Sequence, residues 1–221
     1  MTTVSADLPS LQIAALLHDI GKFWQRTGKR HGASYEGFDK ETFGANGAHA
    51  KWSAEFIERF VPESCRGKPH DVLTHHKPSS YTAKVIAIAD WLSSAEREEG
   101  KPNQEASVQL LSVFSRLAGE IPWKAAEAYY PLSSLSLRRE AIFPQPGRLL
   151  SGEATRPQYG ALWSEFLAEV EKLPPSDFES YFVALYHLLQ KYTWCIPSAG
   201  YRHVSDVSLF DHARTTCAIA T

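Results

Sequence analysis

Adjacent histidine and aspartate residues, His18 and Asp19, are the first residues of this chain that point to chemistry. They close the apolar run from Ile13 to Leu17, and Lys22 follows within one helical turn. An imidazole, a carboxylate and an ammonium at the end of a core segment are costly to bury unless another group compensates them. A bound cation can do so, because it would be the largest local charge in such a site. The pair therefore indicates a candidate metal site.

Further candidate ligands follow within the first ninety residues: His49, the adjacent pair His75 and His76, and Asp90 in an otherwise apolar segment. Nitrogen and oxygen donors without a thiolate suit Mn²⁺, Fe²⁺, Co²⁺, Ni²⁺ or Zn²⁺ better than Ca²⁺. The set is too large for a single ion that keeps a position open for water. It predicts two ions roughly 3.5–4 Å apart, and Asp19 is the candidate for the carboxylate that bridges them.

A pair of metal ions suits phosphodiester hydrolysis, because the ions activate a water molecule and neutralise charge on the phosphate oxygens. We therefore assign His18, Asp19 and Lys22 to the reacting centre. Lys22, Lys77 and Arg97 are candidate contacts for substrate phosphate. For each of these three cations, a solvated surface charge is the alternative interpretation.

Aromatic and hydroxyl side chains near these positions offer supporting roles. Trp24, Trp52 and Trp91 could stack on the bases of a single strand, although tryptophans at helical spacing more often belong to a core. Ser93 and Ser94 could donate or accept hydrogen bonds that hold the metal ligands. Helix capping or packing explains these two serines equally well.

The composition narrows the classes of function. A chain of 221 residues with 43% hydrophobic residues can form one large domain with a substantial core. We expect no membrane segment, since no apolar run approaches the roughly 18–20 residues of a membrane span, and no secretory signal. Three cysteines without a CxxC pair argue against a disulfide framework and suit a reducing cytoplasm. A net charge of −2 excludes nucleic-acid binding through bulk electrostatics alone, so a local cluster, a metal or a partner must supply the attraction.

The spacing of apolar residues predicts an all-α fold. The first predicted helix lies within about 8–25 and ends near the His-Asp pair, with Gly21 as a stop signal. The other predicted helical segments are one from His49, a turn at 70–77, then 82–98, 104–119, 158–172, 176–193 and one from Ser208. A glycine-rich polar loop at 28–47 and an irregular stretch at 131–157, extended at 141–143, connect them. The last helix runs to the end of the chain, from which we expect the chain to be a fragment of a longer protein.

Several longer strings are more specific: ALLHDIGKF at 15–23, HHKP at 75–78, IADWLSSAERE at 88–98, YTWCIPS at 192–198 and DVSLFDHARTT at 206–216. Together they resemble the HD phosphohydrolase superfamily and, within it, the N-terminal HD domain of the large subunit of type III-A (Csm-type) CRISPR effector complexes. The resemblance reaches both ends of the chain and is weakest between 100 and 190.

This resemblance implies a circularly permuted HD helical bundle with additional helices. His212, on the C-terminal helix, would replace the histidine-bearing helix that usually precedes the His-Asp pair. The implied ligand sets are His18, Asp19, Asp90 and His212 for one ion, and Asp19, His49, His75 and His76 for the other. We expect a single HD domain over 1–221, with the metal-site helices in 8–100 and 208–221 and a helical annex over about 101–200.

The resemblance also implies metal-dependent cleavage of single-stranded DNA, in a complex with other subunits and a guide RNA that is activated by target RNA. Mn, Ni or Co are the expected ions, with Fe or Zn as alternatives. Cyclic-oligoadenylate synthesis in such subunits belongs to palm domains with a Gly-Gly-Asp-Asp motif, which this sequence lacks. Two other functions stay open: a nucleotide or cyclic-dinucleotide phosphohydrolase, and a non-catalytic module whose metal pocket stabilises the domain or docks partner subunits.

Overall fold

The computed structural model describes residues 7–44, 47–94, 109–116, 128–146, 150–174, 177–199 and 205–221, and these ranges are predominantly helical. The α-helices are α1 (Leu8–Leu17), α2 (Gly21–Arg26), α3 (Lys40–Phe43), α4 (Ala50–Phe60), α5 (Pro69–Leu73), α6 (Tyr81–Ser94), α7 (Arg139–Ile142), α8 (Gly152–Val170), α9 (Phe178–Thr193) and α10 (Leu209–Ala220). Two 3₁₀ turns, Ala33–Tyr35 and Val113–Arg116, and one antiparallel pair, β1 (Ala128–Tyr129) with β2 (Gln145–Pro146), accompany them. The predicted all-α fold is confirmed.

Helix α1 lies at the centre of the bundle. Its residues Ile13, Ala15 and Leu17 are completely buried, because α4, α5, α6, α9 and α10 all pack around it. A helix that is apolar on every side is stable only in such an interior position. The end of α1, and with it the His-Asp pair, is therefore fixed by packing from several directions.

An aromatic cluster joins α8 to α2 and α4. The ring of Phe23 on α2 meets that of Trp163 on α8 edge to face at 4.9 Å, and Phe56 on α4 stacks on Phe166 at 5.8 Å. Such aromatic pairs contribute about 0.5–1.5 kcal/mol each beyond their buried area. Helix α8 thus holds α2 and α4 against each other from the side away from the polar pair.

The first predicted helix is divided in two. Helix α1 ends at Leu17, residues 18–20 form a turn, and α2 begins at Gly21, so the prediction that Gly21 stops a helix is wrong. A Cβ atom at Gly21 would lie 2.1 Å from the His49 carbonyl oxygen and 2.7 Å from Ser53 Oγ. The Gly21 amide donates to Ser53 Oγ at 2.8 Å. Glycine is required here because α2 meets the start of α4 backbone to backbone.

Other predicted boundaries also need correction. The predicted helix at 104–119 is wrong in its described part, where Leu111 forms a bridge with Tyr129 and a 3₁₀ turn follows. Of the residues predicted to be extended at 141–143, 141 and 142 belong to α7, and only Phe143 has an extended backbone. The loop at 28–47 contains α3 and a 3₁₀ turn. Helix α6 is described as far as Ser94, so the predicted end at 98 lies outside the described residues.

Helix α8 begins six residues earlier than predicted, at Gly152 and not at 158, and includes Pro157. Ser151 caps its start, because its hydroxyl accepts from the Ala154 amide at 3.2 Å. Proline removes one backbone donor from a helix, but Pro157 is exposed, so water can reach the carbonyl left without a partner. None of the helices in the described ranges combines the length and apolarity that crossing a membrane requires.

Candidate metal centre

The His-Asp pair lies in the turn between α1 and α2, which lets the two side chains enter one polar cluster. His18 is completely buried, and its Nδ1 donates to the carbonyl oxygen of Ala15 at 2.8 Å. That carbonyl lies in the last turn of α1, where helix carbonyls lack intrahelical partners. The hydrogen bond leaves Nε2 of His18 facing the cluster, 3.4 Å from Asp19 Oδ2.

Asp19 lies at the centre of the cluster and is 1% exposed. Its Oδ1 is 2.8 Å from His49 Nε2, and its Oδ2 is 3.2 Å from His212 Nε2. Lys22 Nζ donates to Oδ2 at 2.5 Å. The two carboxylate oxygens of Asp19 thus face two different groups of imidazoles.

The first group contains three histidines that lie just before or just after a helix. His49 directly precedes α4, and His75 and His76 follow α5. Nδ1 of His75 donates to the carbonyl oxygen of Val72 at 2.6 Å, in the last turn of α5, as His18 does on α1. His76 Nε2 lies 3.1 Å from His49 Nε2. These three rings therefore direct their ligand nitrogens to one side of Asp19.

The second group joins three helices that are far apart in the sequence. Asp90 on α6 and His212 on α10 meet His18 at the end of α1, where α10 packs against both α1 and α6. His212 Nε2 lies 3.0 Å from Asp90 Oδ1 and 3.3 Å from His18 Nε2. The C-terminal helix therefore supplies a side chain to this cluster, as a circular permutation predicts.

The structure brings all the predicted ligand residues together in two sets that share Asp19. In each set, one ligand atom of every member lies within 4.8 Å of the others. The sets are His18, Asp19, Asp90 and His212, and Asp19, His49, His75 and His76. This is the same division that the family resemblance implied.

Two buried atoms in the cluster support the fit of these residues to cations. Within the described part of the chain, His75 Nε2 and Asp19 Oδ1 have no hydrogen-bond partner. His49 Nε2 lies 2.8 Å from Asp19 Oδ1, but the two groups do not have the geometry of a hydrogen bond. Buried polar atoms are rarely left unsatisfied, so such atoms need an explanation. Imidazole and carboxylate donors are the ligands that divalent transition metals accept. The cluster could hold a metal ion at each set.

The histidines of the first group are neutral near pH 7. Burial lowers the pKa of His49 to about 4 and that of His75 to about 3. Partial burial, followed by the neighbouring His75 ring, lowers the pKa of His76 to about 3. A neutral imidazole has the free electron pair that a metal requires, so this group is ready to bind without losing protons.

The pKa of His18 is shifted in the opposite direction to the pKa values of the first group. Burial alone would lower the pKa of His18, but the Asp19 and Asp90 carboxylates outweigh it and raise the pKa to about 10. Burial likewise opposes ionisation of Asp19, yet Lys22 and His18 hold the pKa of Asp19 well below its usual range. The imidazoles of His18 and His212 do the same for Asp90. Without an ion, His18 is therefore a buried cation that compensates the carboxylates.

The cations predicted to contact substrate lie in different settings. Lys22 reaches the cluster through Asp19, and its side chain is 19% exposed. Lys77 follows His76 and pairs with Glu41 at 3.2 Å on the surface. Arg97 lies outside the described residues.

The three tryptophans considered for base stacking differ in how far they are exposed to solvent. Trp24 is a core residue, buried and stacked on Trp163 at 5.3 Å, as the favoured core interpretation of these tryptophans predicts. Trp52 is half-buried and meets His31 edge to face at 4.6 Å. Trp91 is 72% exposed and adjoins Asp90 in the sequence. Of the three, only Trp91 presents most of its ring to solvent.

The backbone that surrounds His76 could not be predicted from residue types. A Cβ atom at Gly47 would lie 2.0 Å from the Phe43 carbonyl oxygen and 2.9 Å from the His76 ring. The glycines of the loop at 28–47 were its only signal, and their spacing does not show which ring they approach. Glycine at this position lets the end of α3 close over the His76 ring.

Comparison with known proteins agrees with this geometry. The HD domain family matches residues 4–95, which contain every predicted ligand except His212. Cas10/Csm1 of Methanocaldococcus jannaschii, a CRISPR system single-strand-specific deoxyribonuclease of subtype III-A, is 35% identical over 96% of this chain. The chain is an HD-domain relative of Cas10/Csm1. The Cas10/Csm1 protein of Enterococcus italicus is 26% identical, again over 96% of the chain.

Solved structures of Csm1 share the fold. Csm1 of T. onnurineus superimposes with a TM-score of 0.61 over 98% of this chain at 22% identity. Csm1 in the Csm1-Csm4 subcomplex of the type III-A CRISPR-Csm interference complex gives a TM-score of 0.59 over 96% at 20% identity. The chain covers 27% and 28% of the two Cas10/Csm1 sequences and 28% and 27% of these two structures. It therefore corresponds to about a quarter of a Cas10/Csm1 protein.

Proposed function

We propose that this domain is a divalent-metal-dependent nuclease that cleaves single-stranded DNA within a type III CRISPR effector complex. The observation that carries the proposal is the pair of ligand sets that share Asp19. A carboxylate shared by both sets would hold two ions close together, as the two-ion mechanism of phosphodiester hydrolysis requires. The names of the Cas10/Csm1 relatives support the substrate class and the CRISPR context.

The side chains of this chain have distinct tasks in the proposal. When bound, the ions would supply an activated water molecule and positive charge for the phosphate oxygens. The Val72 carbonyl oxygen accepts from Nδ1 of His75, and the Ala15 carbonyl oxygen accepts from Nδ1 of His18. Each ring is thereby held with its Nε2 facing the cluster. Lys22 orients Asp19 from outside and adds a positive charge where a phosphate would approach.

Access from solvent supports a polymeric substrate. His76 is the exposed member of the cluster, and Asp90 is 18% exposed, whereas His18 and His75 are buried. A phosphodiester must therefore arrive on the side of His76 and Asp90. Lys77, which is 54% exposed, stands beside that opening. We propose that Lys22, Lys77 and Arg97 contact the phosphate backbone.

The experiment is a double variant, His18→Ala with Asp19→Ala, compared with the wild-type chain. We expect loss of bound metal and of DNA cleavage with unchanged helix content, because the variant removes the shared ligand. Metal analysis and a cleavage assay with Mn²⁺, Co²⁺, Ni²⁺, Fe²⁺ and Zn²⁺ measure both. His187→Ala, on the exposed side of α9, is the control and should keep full activity. Cleavage that survives in the double variant would refute the proposal.

Two rival functions predict other results. A nucleotide or cyclic-dinucleotide phosphohydrolase would prefer small nucleotides over single-stranded DNA in a direct competition. A non-catalytic module would lose thermal stability on chelation but would show no nuclease activity with any of the ions. The shared carboxylate favours the nuclease over the module, because a structural site needs neither two ions nor an open position.

We also infer that the domain works with other subunits and a guide RNA of the complex. The solved Csm1-Csm4 subcomplex supports a partnership between subunits. The three cysteines are free and buried, which supports a reducing, cytoplasmic setting. We propose that residues 1–221 act as a single HD domain, with 101–200 as its helical annex.

A further inference from the structure

Three of the four buried histidines of the centre have their Nδ1 atoms held in two different ways. His18 and His75 each follow a helix and bond to a backbone carbonyl of its last turn, at 2.8 Å and 2.6 Å. A carbonyl only accepts, so each of these two rings carries a proton on Nδ1. His212 lies in the first part of α10, where the nearby Ser208 carbonyl already accepts from the His212 amide. It therefore needs a partner from another helix.

That partner is Ser93 on α6. Ser93 Oγ lies 2.9 Å from His212 Nδ1, 2.8 Å from Thr216 Oγ1 and 3.0 Å from the carbonyl oxygen of Asp90. The Asp90 carbonyl can only accept, so it takes the Ser93 proton. The oxygen of Ser93 is then free to accept from the His212 ring and from the Thr216 hydroxyl.

We propose that Ser93, supported by Thr216, is a positioning residue that fixes the ring of His212 with its proton on Nδ1 and its Nε2 facing Asp19 and Asp90. This inference rests on the proposed metal-dependent function. Thr216 and His212 are 0% and 1% exposed, so their polar side-chain atoms depend on partners within the protein. In the metal-free chain Nε2 of His212 can donate to the Asp90 carboxylate, 3.0 Å away. An ion that binds through Nε2 must displace that proton, and the ring then needs an acceptor for its remaining proton on Nδ1, which Ser93 supplies.

The test is the affinity of the chain for Mn²⁺, measured by calorimetry on Ser93→Ala. Loss of an outer hydrogen bond to a metal-binding histidine typically lowers affinity about 10–100-fold, and we expect such a loss for one of two ions. Ser93→Thr keeps the hydroxyl and should restore most of the affinity. Ser164→Ala is the matched control, because Ser164 also bonds to a carbonyl of its own helix, at 2.9 Å, but contacts no ligand.

A second readout does not depend on a metal. Nitrogen-15 spectra of the histidine rings in the metal-free chain should show Nδ1 of His212 in a hydrogen bond in the wild type and without that bond in Ser93→Ala. If Ser93→Ala does not fold, Thr216→Val, which keeps the shape of the side chain, should weaken Mn²⁺ binding several-fold. Unchanged affinity and an unchanged His212 Nδ1 signal in a folded variant would overturn the proposal, as would an equal loss in Ser93→Thr.

These outcomes separate this inference from the proposed function. A wild-type chain that binds two ions but cleaves no DNA refutes the nuclease and leaves the role of Ser93 open to the affinity test. A wild-type chain that binds no ion refutes the metal-dependent function, and the hydrogen bond at Nδ1 of His212 then decides whether Ser93 holds the ring.

Discussion

The buried imidazoles couple the folding of the metal-free chain to pH in opposite directions. The pKa values of His49 and His75 are about 4 and about 3 in the folded chain, against 6.5 when unperturbed. Their contribution to stability is complete above pH 6.5 and is lost as the pH falls toward these values. The pKa of His18 is about 10, so its contribution is complete below 6.5 and is lost as the pH rises toward 10. The metal-free chain should be most stable near pH 6.5.

Unfolding by urea at several pH values in the presence of a chelator tests this maximum. Each fully buried imidazole changes the free energy of unfolding by about 1.4 kcal/mol per pH unit on its side of the maximum. The exposed His76 adds less, because solvent screens its charge. His75→Leu should reduce the slope on the acid side and leave the alkaline side unchanged. A slope that His75→Leu does not alter would contradict the assignment.

Among the secondary-structure elements, a helix is predicted well from the sequence where its apolar residues form one clear face. Helix α9 was predicted over 176–193 and is found at Phe178–Thr193, and Ser208 caps α10 at the predicted start. The end of α1 near the His-Asp pair is predicted, but the start of a new helix at Gly21 is not, because its cause is the contact of Gly21 with α4. Tertiary contacts of this kind leave no local pattern.

Gly21→Ala tests that contact. A Cβ atom there would overlap the His49 carbonyl at 2.1 Å and push the start of α4, with His49, away from Asp19. Overpacking of this kind costs about 1–3 kcal/mol or more in the free energy of unfolding, and metal affinity should fall with it. Chemical denaturation and calorimetry measure the two effects.

The matched control is Gly160→Ala on α8, because no atom lies within 4 Å of a Cβ placed there. Alanine within a helix is more stable than glycine by about 0.5–1 kcal/mol, so this control should stabilise the chain. Equal effects of the two substitutions would show that α2 and α4 do not meet as closely as described.

Helix α6 carries both a ligand and an exposed aromatic ring. The side chain of Trp91 leaves α6 about 100° around the helix axis from that of Asp90. Lys84 lies two turns earlier and within about 20° of Trp91, so these two side chains share one face of α6. A base stacked on an aromatic ring contributes about 1–3 kcal/mol, so Trp91→Ala should weaken binding of single-stranded DNA about tenfold. Binding to the Asp19→Asn chain, which should not cleave, measures this loss. Trp91→Phe should retain most of the affinity.

Leu92→Ala is the control for this prediction, because Leu92 is also exposed but lies a further 100° or so from Asp90 around α6. Its removal should leave the affinity for DNA unchanged. If Trp91→Ala binds DNA as tightly as Leu92→Ala, the exposed ring does not contact the substrate, and α6 meets another partner through this side.

For the whole molecule, the decisive feature is that the metal centre joins both ends of the chain. The ligands up to Asp90 could be found from residue types and spacing, because all except His49 stand in an apolar segment or an adjacent pair. His212 could not, since 194 positions separate it from His18, although the two Nε2 atoms lie 3.3 Å apart. Only the family resemblance indicated its place. Composition and local spacing do not show which distant helix closes a bundle.

This topology predicts that the two ligand sets stabilise different parts of the molecule. An ion at the His18 set would tie α10 to α1 and α6, whereas an ion at the His49 set would tie α4 to the end of α5. A ligand at 100 times its dissociation constant stabilises what it binds by about 2.7 kcal/mol, or roughly a hundredfold in amide exchange. Hydrogen exchange with Mn²⁺ should therefore slow in both regions of the wild type. In His212→Asn it should slow only around α4 and α5, and equal slowing of α10 in that variant would show that the C-terminal helix does not hold an ion.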